Sequence, residues 1–131
     1  MSFKTSVIGL GYLGATQAII LAKQGHSVVG VDTDSARVKS LAVGNLPFFE
    51  PGLSELLEEM LATGRLSFTD SYGPELRDVD LHFLCVGTPS MANSQEVDLS
   101  AVIESAASIA EFAGADSVSY THLTLPTNRE V

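Results

Sequence analysis

Three glycines and one aspartate have types and a spacing that point to one kind of chemistry. Gly9, Gly11 and Gly14 form a GxGxxG pattern directly after a β-branched run, and Asp32 follows eighteen residues after the last glycine. In this pattern the first glycine permits a tight turn, the second lets a pyrophosphate approach the backbone, and the third lets a helix lie close to a sheet. A carboxylate at the position of Asp32 can accept both ribose hydroxyls. The spacing therefore predicts a dinucleotide site.

The elements around these residues must occur in the right order, because glycine patterns also occur in purely structural turns. Thr5–Ile8 predicts a strand, Leu13–Lys23 a largely apolar helix that ends at Gly25, and Ser27–Val31 a second strand. The helix begins at the glycine turn, so its free N–H groups and positive dipole end can bind a phosphate. This order favours the dinucleotide site over a structural turn or a solvated strand-end aspartate.

The residues near Asp32 also bear on the choice of nucleotide. The negative charge of Asp32 would repel a 2′-phosphate, which favours NAD over NADP. Arg37 follows five residues later and could reach the adenosine ribose or weaken that preference. By spacing alone, an exposed helix arginine is the simpler interpretation of Arg37.

The rest of the chain predicts an α/β domain with a parallel sheet and helices on both faces. Asp34 or Ser35 is the predicted N-cap of a short helix, and a proline-rich loop, Asn45–Leu53, leads into an amphipathic helix through Leu61. Further elements are a strand at Leu66–Thr69, a helical turn at Pro74–Asp78, a buried strand at Leu81–Val86, a helix capped by Asp98, and the approach to one more strand at Asp116–Val118. In the last helix the residues expected to face inward are Leu99, Val102, Ile103, Ala106, Ile109, Ala110 and Ala113.

The strand at Leu81–Val86 runs into Gly87-Thr88-Pro89. Ligands of open parallel sheets lie across the carboxyl ends of the strands, so Thr88 is a candidate contact to the nicotinamide half. A plain strand-to-loop turn is the alternative. Cys85 has no nearby base in sequence and is interpreted as a buried packing residue.

Composition excludes several classes of partner. The chain has 131 residues, a formal charge of −9 and one cysteine. The acidic balance argues against nucleic acid and anionic membranes, and the longest apolar stretch, Ala18–Ala22, is too short to span a bilayer. One cysteine and no signal-peptide pattern predict a cytoplasmic protein, and the three histidines show no metal-ligand spacing.

Five motifs together resemble the NAD-binding N-terminal domain of the UDP-glucose/GDP-mannose dehydrogenase family. They are GLGYLG from Gly9, Asp32 with Arg37, FEPGL from Phe49, the Gly64–Thr69 segment, and CVGTP from Cys85. The resemblance covers nearly everything from Phe3 to about Ser117 and implies a Rossmann-type fold. EPGL and CVGTP are far more specific to this family than the glycine pattern is. The loop before EPGL is most similar to the UDP-glucose branch of the family.

The resemblance implies a two-step oxidation of a sugar C6 alcohol to a carboxylate with two NAD. It places the pyrophosphate on Gly9, Leu10, Gly11, Tyr12, Leu13 and Gly14, the adenosine ribose on Asp32 and Arg37, and the nicotinamide side on Val86, Gly87, Thr88 and Pro89. The family's catalytic residues, its dimer-forming helix and its sugar-nucleotide domain lie downstream. We therefore expect no catalytic residue here, no turnover by this chain alone, and UDP-glucose binding only in a full-length, homo-oligomeric protein.

The C-terminal residues depart from the family pattern. Residues 118–131, VSYTHLTLPTNREV, lack the family's K-S-T-V-P-x-G-T segment and resemble the conceptual translation of a transposase adapter. We expect a domain at 1–117, with a sheet incomplete at its C-terminus, followed by a foreign tail at 118–131; a divergent natural tail is the alternative.

Two other functions compete with the leading one. The chain could be the N-terminal domain of another NAD-dependent sugar-nucleotide or hydroxyacid dehydrogenase, against which EPGL and CVGTP argue. It could also be a non-catalytic nucleotide-binding module.

Overall fold

A computed structural model describes residues 2–86, 100–110 and 118–121. Within these residues there are five strands, four α-helices and one 3₁₀ turn. The strands are β1 (Lys4–Ile8), β2 (Ser27–Val31), β3 (Leu66–Thr69), β4 (Leu81–Leu84) and β5 (Val118–Thr121). The helices are α1 (Tyr12–Lys23), α2 (Ser35–Ala42), α3 (Leu53–Thr63) and α4 (Ser100–Ala110), and the 3₁₀ turn is Pro74–Leu76.

All five strands are parallel, in the order β3-β2-β1-β4-β5. The chain crosses from β3 past β2 and β1 to β4, so β1 is the central strand and the strand order reverses there. Ile8 pairs with Val31 on one side and with Leu84 on the other. Three strands therefore end at one level, and the residues that follow them meet at one edge of the sheet. The Rossmann-type α/β fold predicted from the sequence is confirmed.

Helices cover both faces of the sheet, as predicted. On one face α1, α2 and α3 pack on the strands through a core of fourteen buried residues, Val7, Leu10, Ala15, Ala18, Ile19, Leu21, Ala22, Val28, Val38, Leu41, Leu53, Leu57, Met60 and Leu66. On the other face the 3₁₀ turn and α4 pack through a smaller core, Ile8, Val29, Val31, Leu76, Val79, Leu84 and Ile109. Because both faces are covered, polar strand residues such as Thr5, Ser6 and His82 are buried together with the apolar ones.

The helix ends follow from local chemistry. Asp34, one of the two predicted caps, is the N-cap of α2, and its carboxylate accepts a hydrogen bond from the Arg37 amide at 3.2 Å. At the C-terminus of α1, the Arg65 guanidinium donates two hydrogen bonds to the Ala22 carbonyl, from Nε at 3.2 Å and from Nη2 at 3.0 Å. The Ala22 carbonyl also accepts a hydrogen bond from the Gly25 amide at 3.0 Å, so the last turn of α1 is held by both backbone and side-chain donors.

Two predicted details are wrong. β4 ends at Leu84 and not at Val86 because the glycine turn lies against the next residue: a Cβ on Gly9 would be 2.7 Å from the Cys85 carbonyl oxygen. In α4 the predicted inward positions of Val102 and Ile109 are confirmed, but Ile103 is 65% exposed, Ala106 and Ala110 are exposed, and the unpredicted Ser105 is buried. The helix is rotated so that the face that contains Ser105 lies toward the carboxyl ends of the strands. Asp98, Leu99 and Ala113 lie outside the described residues.

β5 lies beyond the predicted domain boundary. Its backbone pairs with β4 from Val118 beside Leu81 to Thr121 beside Leu84.

Within the described part of the chain, no helix is both long enough and apolar enough to cross a membrane.

Candidate functional site

The turn between β1 and α1 needs glycine at two positions for different reasons. Gly9 has φ of 96°, in the left-handed region, and its amide donates to the Val31 carbonyl at 2.7 Å. A Cβ on Gly14 would lie 1.7 Å from the Gly9 carbonyl oxygen, so any side chain there would drive α1 off the turn. Gly11 has open space, with nothing within 4 Å of a Cβ. The first and third glycines are required by the fold, and the second leaves room above the turn.

The N-terminus of α1 is available to an anion. The first helical hydrogen bond runs from the Ala15 amide to the Gly11 carbonyl at 2.9 Å, so the amides of the preceding turn have no helical acceptor. Gly11 is the N-cap and supplies no side-chain cap, and the first turn contains no acidic residue. Free N–H groups, a positive dipole end and open space are the features that bind a phosphate.

Asp32 lies at the carboxyl end of β2, next to the glycine turn. Its Oδ2 accepts a hydrogen bond from the Leu10 amide at 2.7 Å, and its Oδ1 accepts one from the Asp34 amide at 2.8 Å. The side chain is only 11% exposed. The sequence predicts a carboxylate free to accept two ribose hydroxyls, but this carboxylate is already bonded to two segments of backbone.

Arg37 faces Asp32 from the first turn of α2. Its Nη1 lies 3.2 Å from Asp32 Oδ2, and its Nη2 lies 4.0 Å from Asp34 Oδ2. The guanidinium is therefore an ion-pair partner of both carboxylates, and not the plain exposed arginine that spacing alone suggested. The three side chains together carry a formal charge of −1.

These groups line one cleft of about 590 Å³ across the carboxyl ends of the strands. Of the predicted site residues, the cleft brings together Gly9, Leu10, Gly11, Tyr12, Leu13, Gly14, Asp32, Arg37 and Val86. Gly87, Thr88 and Pro89 lie outside the described residues. The direct contact of each of these residues with a nucleotide stays a prediction.

The cleft has further walls that the sequence analysis missed. Tyr72 follows β3 on one side, and on the other α4 contributes Ala101, Glu104, Ser105 and Ser108. A usable signal was present for Tyr72, since it comes three residues after a strand whose end adjoins β2. The α4 residues carried no comparable signal, because their position depends on how the helix is turned.

Cys85 also lines the cleft, half-buried just past β4. Burial raises the pKa of its thiol, which keeps the sulfur protonated and a poor nucleophile. The structure therefore gives Cys85 a packing position beside the cleft. Among the described residues, no group of three His, Cys, Asp or Glu side chains could hold a metal ion.

The residues present fit a dinucleotide. A diphosphate needs donors and close backbone approach, which the open space at Gly11 and the first-turn amides of α1 supply. A ribose needs an acceptor, and Asp32 Oδ1 has one hydrogen-bonding position left after the Asp34 amide. A cleft of this volume is in the range of cofactor sites.

Comparison with known proteins gives the same result. The model of the UDP-glucose/GDP-mannose dehydrogenase family, NAD binding domain, matches residues 3–129. The chain is 39% identical over 123 residues to a UDP-glucose 6-dehydrogenase of Rhizobium meliloti, covering 94% of the chain and 28% of that protein. It is 47% identical over 90 residues to a GDP-mannose 6-dehydrogenase of Pseudomonas syringae pv. tomato, covering 69% of the chain and 20% of that protein.

Solved structures agree. A UDP-D-ManNAc dehydrogenase from Pyrococcus horikoshii superposes with a TM-score of 0.86 at 30% identity, covering 98% of the chain and 29% of that structure. A ternary complex of GDP-mannose dehydrogenase from Pseudomonas aeruginosa gives a TM-score of 0.76 at 40% identity, covering 81% of the chain and 24% of that structure. The chain spans less than a third of the length of each of these proteins. It belongs to the UDP-glucose/GDP-mannose dehydrogenase family and carries that family's NAD-binding domain.

Proposed function

We propose that the chain is the NAD-binding portion of a UDP-glucose 6-dehydrogenase, which oxidises UDP-glucose to UDP-glucuronate. The observation that carries this proposal is the convergence of the α1 N-terminus and the Asp32 carboxylate on one cleft. The FEPGL loop supports the UDP-glucose branch in particular, by its resemblance to that branch.

In the proposed site each residue has a binding or orienting role. Amides at the start of α1 hold the diphosphate, and the open position at Gly11 lets it approach. Asp32 accepts a ribose hydroxyl, and Arg37 stands beside it. NAD, when bound, supplies the hydride acceptor. The family's reacting groups lie downstream of this portion, so the chain binds cofactor and does not turn over substrate.

A second substrate has its own support. The GDP-mannose 6-dehydrogenase relative is 47% identical over 90 residues, against 39% over 123 residues for the UDP-glucose relative. GDP-mannose is therefore the alternative substrate of the full-length protein. Assay of the full-length protein with each sugar nucleotide decides between them, by which one reduces NAD at the higher kcat/KM.

NAD binding by this chain tests the first part of the proposal. Calorimetric titration with NAD should give saturable binding. The melting temperature should also rise with NAD concentration, because a ligand that binds only the folded state stabilises that state. A folded chain that released no heat and kept its melting temperature would contradict the proposal. Oxidation of UDP-glucose by this chain alone would contradict the claim that the chemistry lies elsewhere.

The remaining expectations are part of the same proposal. A single cysteine and the acidic composition support a cytoplasmic protein, and the resemblance supports a homo-oligomer in the full-length form. The boundary at Val118 stays a prediction: the family match continues to residue 129, while VSYTHLTLPTNREV departs from the family's motif. Sequencing the source DNA across codon 118 tests it.

A further inference from the structure

We propose that Asp32 is a positioning residue for the phosphate-binding turn, in addition to being a ribose acceptor. Through it, one end of the nucleotide site sets the shape of the other end. The inference rests on the proposed function, because the turn must bind a diphosphate for its shape to matter.

Two consecutive amides hold the turn to the end of β2. The Gly9 amide donates to the Val31 carbonyl at 2.7 Å, and the Leu10 amide donates to Asp32 Oδ2 at 2.7 Å. The first bond is made by backbone and survives any substitution of side chains. The second depends entirely on the side chain of Asp32. The direction of the Gly9–Leu10 peptide, which carries the Leu10 amide, is therefore set by one carboxylate.

The hydrogen-bonding capacity of the carboxylate is almost used up by the protein. A carboxylate has about four acceptor positions, two on each oxygen. Oδ2 accepts from the Leu10 amide and from Arg37 Nη1, at 2.7 and 3.2 Å, and Oδ1 accepts from the Asp34 amide at 2.8 Å. One position remains, on Oδ1. Asp32 thus joins three segments: the glycine turn, the β2–α2 turn and the first turn of α2.

Loss of this carboxylate should disturb the turn because the surroundings cannot replace it. Leu10 is fully buried, so an unpaired amide at this position would have poor access to water. The peptide would rotate to find another acceptor, and the amides aimed at the cleft would move with it.

Electrostatics and positioning predict opposite effects for a ligand without ribose. Removing a negative charge beside an anion site strengthens anion binding by Coulomb's law. Removing the acceptor that orients the glycine turn, in contrast, weakens anion binding. Inorganic pyrophosphate therefore separates the two, since it cannot use Asp32 as a ribose acceptor.

The experiment is an NMR titration of the ¹⁵N-labelled 131-residue chain with inorganic pyrophosphate. We expect Asp32→Ala to bind pyrophosphate about fivefold more weakly than wild type, the loss typical of one ordinary hydrogen bond. Asp32→Asn keeps an acceptor oxygen and should recover most of the affinity. Asp70→Asn is the matched control: it removes the same charge from a carboxylate that accepts the Ser35 hydroxyl at 2.8 Å and does not touch the turn.

The Leu10 amide gives a second readout that a general loss of stability would not reproduce. In Asp32→Ala its proton signal should move upfield and exchange faster with solvent, while the Gly9 amide keeps its protection. Should Asp32→Ala fail to fold, Asp32→Asn decides: a retained Leu10 signal with retained pyrophosphate binding supports the positioning role, and a released Leu10 amide with unchanged binding overturns it.

Failure of this inference can be told from failure of the proposed function. If wild type binds neither pyrophosphate nor NAD, the proposed function is wrong. If wild type binds both, and Asp32→Ala binds pyrophosphate as tightly as wild type or more tightly, only the positioning role is wrong.

Discussion

The phenol of Tyr12 donates a hydrogen bond to a carboxylate oxygen of Glu50 at a distance of 2.5 Å. Tyr12 is the fourth residue of GLGYLG and Glu50 belongs to FEPGL, so the contact joins two motifs that are 38 residues apart. The ring of Phe48, from the same loop, lies 4.8 Å from the ring of Tyr12. The loop before α3 is therefore attached to the N-terminal turn of α1, beside the cleft.

This contact predicts a pH dependence. The hydrogen bond to Glu50, followed by its negative charge, raises the pKa of Tyr12 above the ordinary value. A raised pKa means that the contact stabilises the fold below the ordinary tyrosine pKa and is lost as the pH rises through the raised value. Tyrosinate absorbance should show a late-titrating component that comes from Tyr12. Glu50→Gln should abolish the late titration, whereas Glu55→Gln, an exposed glutamate of α3, should not; an unchanged profile in Glu50→Gln would contradict the assignment.

Alanine substitutions at two glycines of the turn should have different effects, one on stability and the other on NAD binding. Gly14→Ala places a Cβ against the Gly9 carbonyl and should lower the free energy of unfolding by about 1–3 kcal/mol. Gly11→Ala meets no protein atom and should melt close to wild type, yet bind NAD about tenfold more weakly because its methyl enters the phosphate position. Chemical denaturation and calorimetry measure the two effects. A Gly11→Ala variant with unchanged NAD affinity would place the phosphate elsewhere.

Arg37 should control the choice between NAD and NADP. With Arg37 the cluster of Asp32, Asp34 and Arg37 has a charge of −1, and Arg37→Gln makes it −2. We expect NADP to bind more weakly than NAD to wild type, and Arg37→Gln to widen the ratio of dissociation constants roughly fivefold. Arg77→Gln, at an exposed arginine after the 3₁₀ turn, is the control for net charge. A narrower ratio in Arg37→Gln would contradict this role.

A buried histidine should make the fold sensitive to acid. His82 is 1% exposed, its Nδ1 lies 2.6 Å from the Ser6 hydroxyl, and its Nε2 has no hydrogen-bond partner among the described residues. Burial lowers the pKa of His82, so the unfolded chain binds its proton first. The contribution of His82 to stability is present above about pH 6.5 and is lost as the pH falls toward the lowered pKa.

Thermal melting across this range measures the effect. His82→Gln, which cannot take up a proton, should melt with a weaker dependence on pH below about 6.5 than wild type. His26→Gln is the matched control, because His26 lies near the surface and accepts a hydrogen bond from the Phe3 amide. Identical slopes for wild type and His82→Gln would show that other groups cause the acid sensitivity.

Much of the fold was predictable because local patterns and tertiary structure agree. Leu66–Thr69 was predicted as a strand and is β3, and the apolar repeat from Leu53 to Leu61 was predicted as a helix and lies in α3. The inward face of α4 was predicted only in part, because Val102 and Ile109 pack on the smaller core as predicted while other predicted residues do not. Counting apolar residues put Ile103 inside, but the helix is turned so that Ser105 is buried and borders the cleft, and hydrophobicity carries no information on that choice.

The site was predictable where its residues follow strands closely in sequence. The glycines follow β1 and Asp32 follows β2, so their meeting requires only that two strands be parallel and adjacent. The Tyr12–Glu50 contact and the position of Ser105 depend on long-range packing, which motif spacing does not encode. The partners of Asp32 were also missed, because a motif names the residue type and does not count the hydrogen bonds that the protein itself makes to it.

The parallel register between Ile8 and Val31 limits where the chain can change its length. Deleting one residue within β2 would flip the following side chain to the opposite face of the sheet and carry the carboxylate of Asp32 away from the Leu10 amide. The bend at Gly25, with φ of 101° and open space around it, could take an extra residue without moving either strand. Homologues whose glycine-to-acid interval is longer than eighteen residues should therefore have their insertion at this bend.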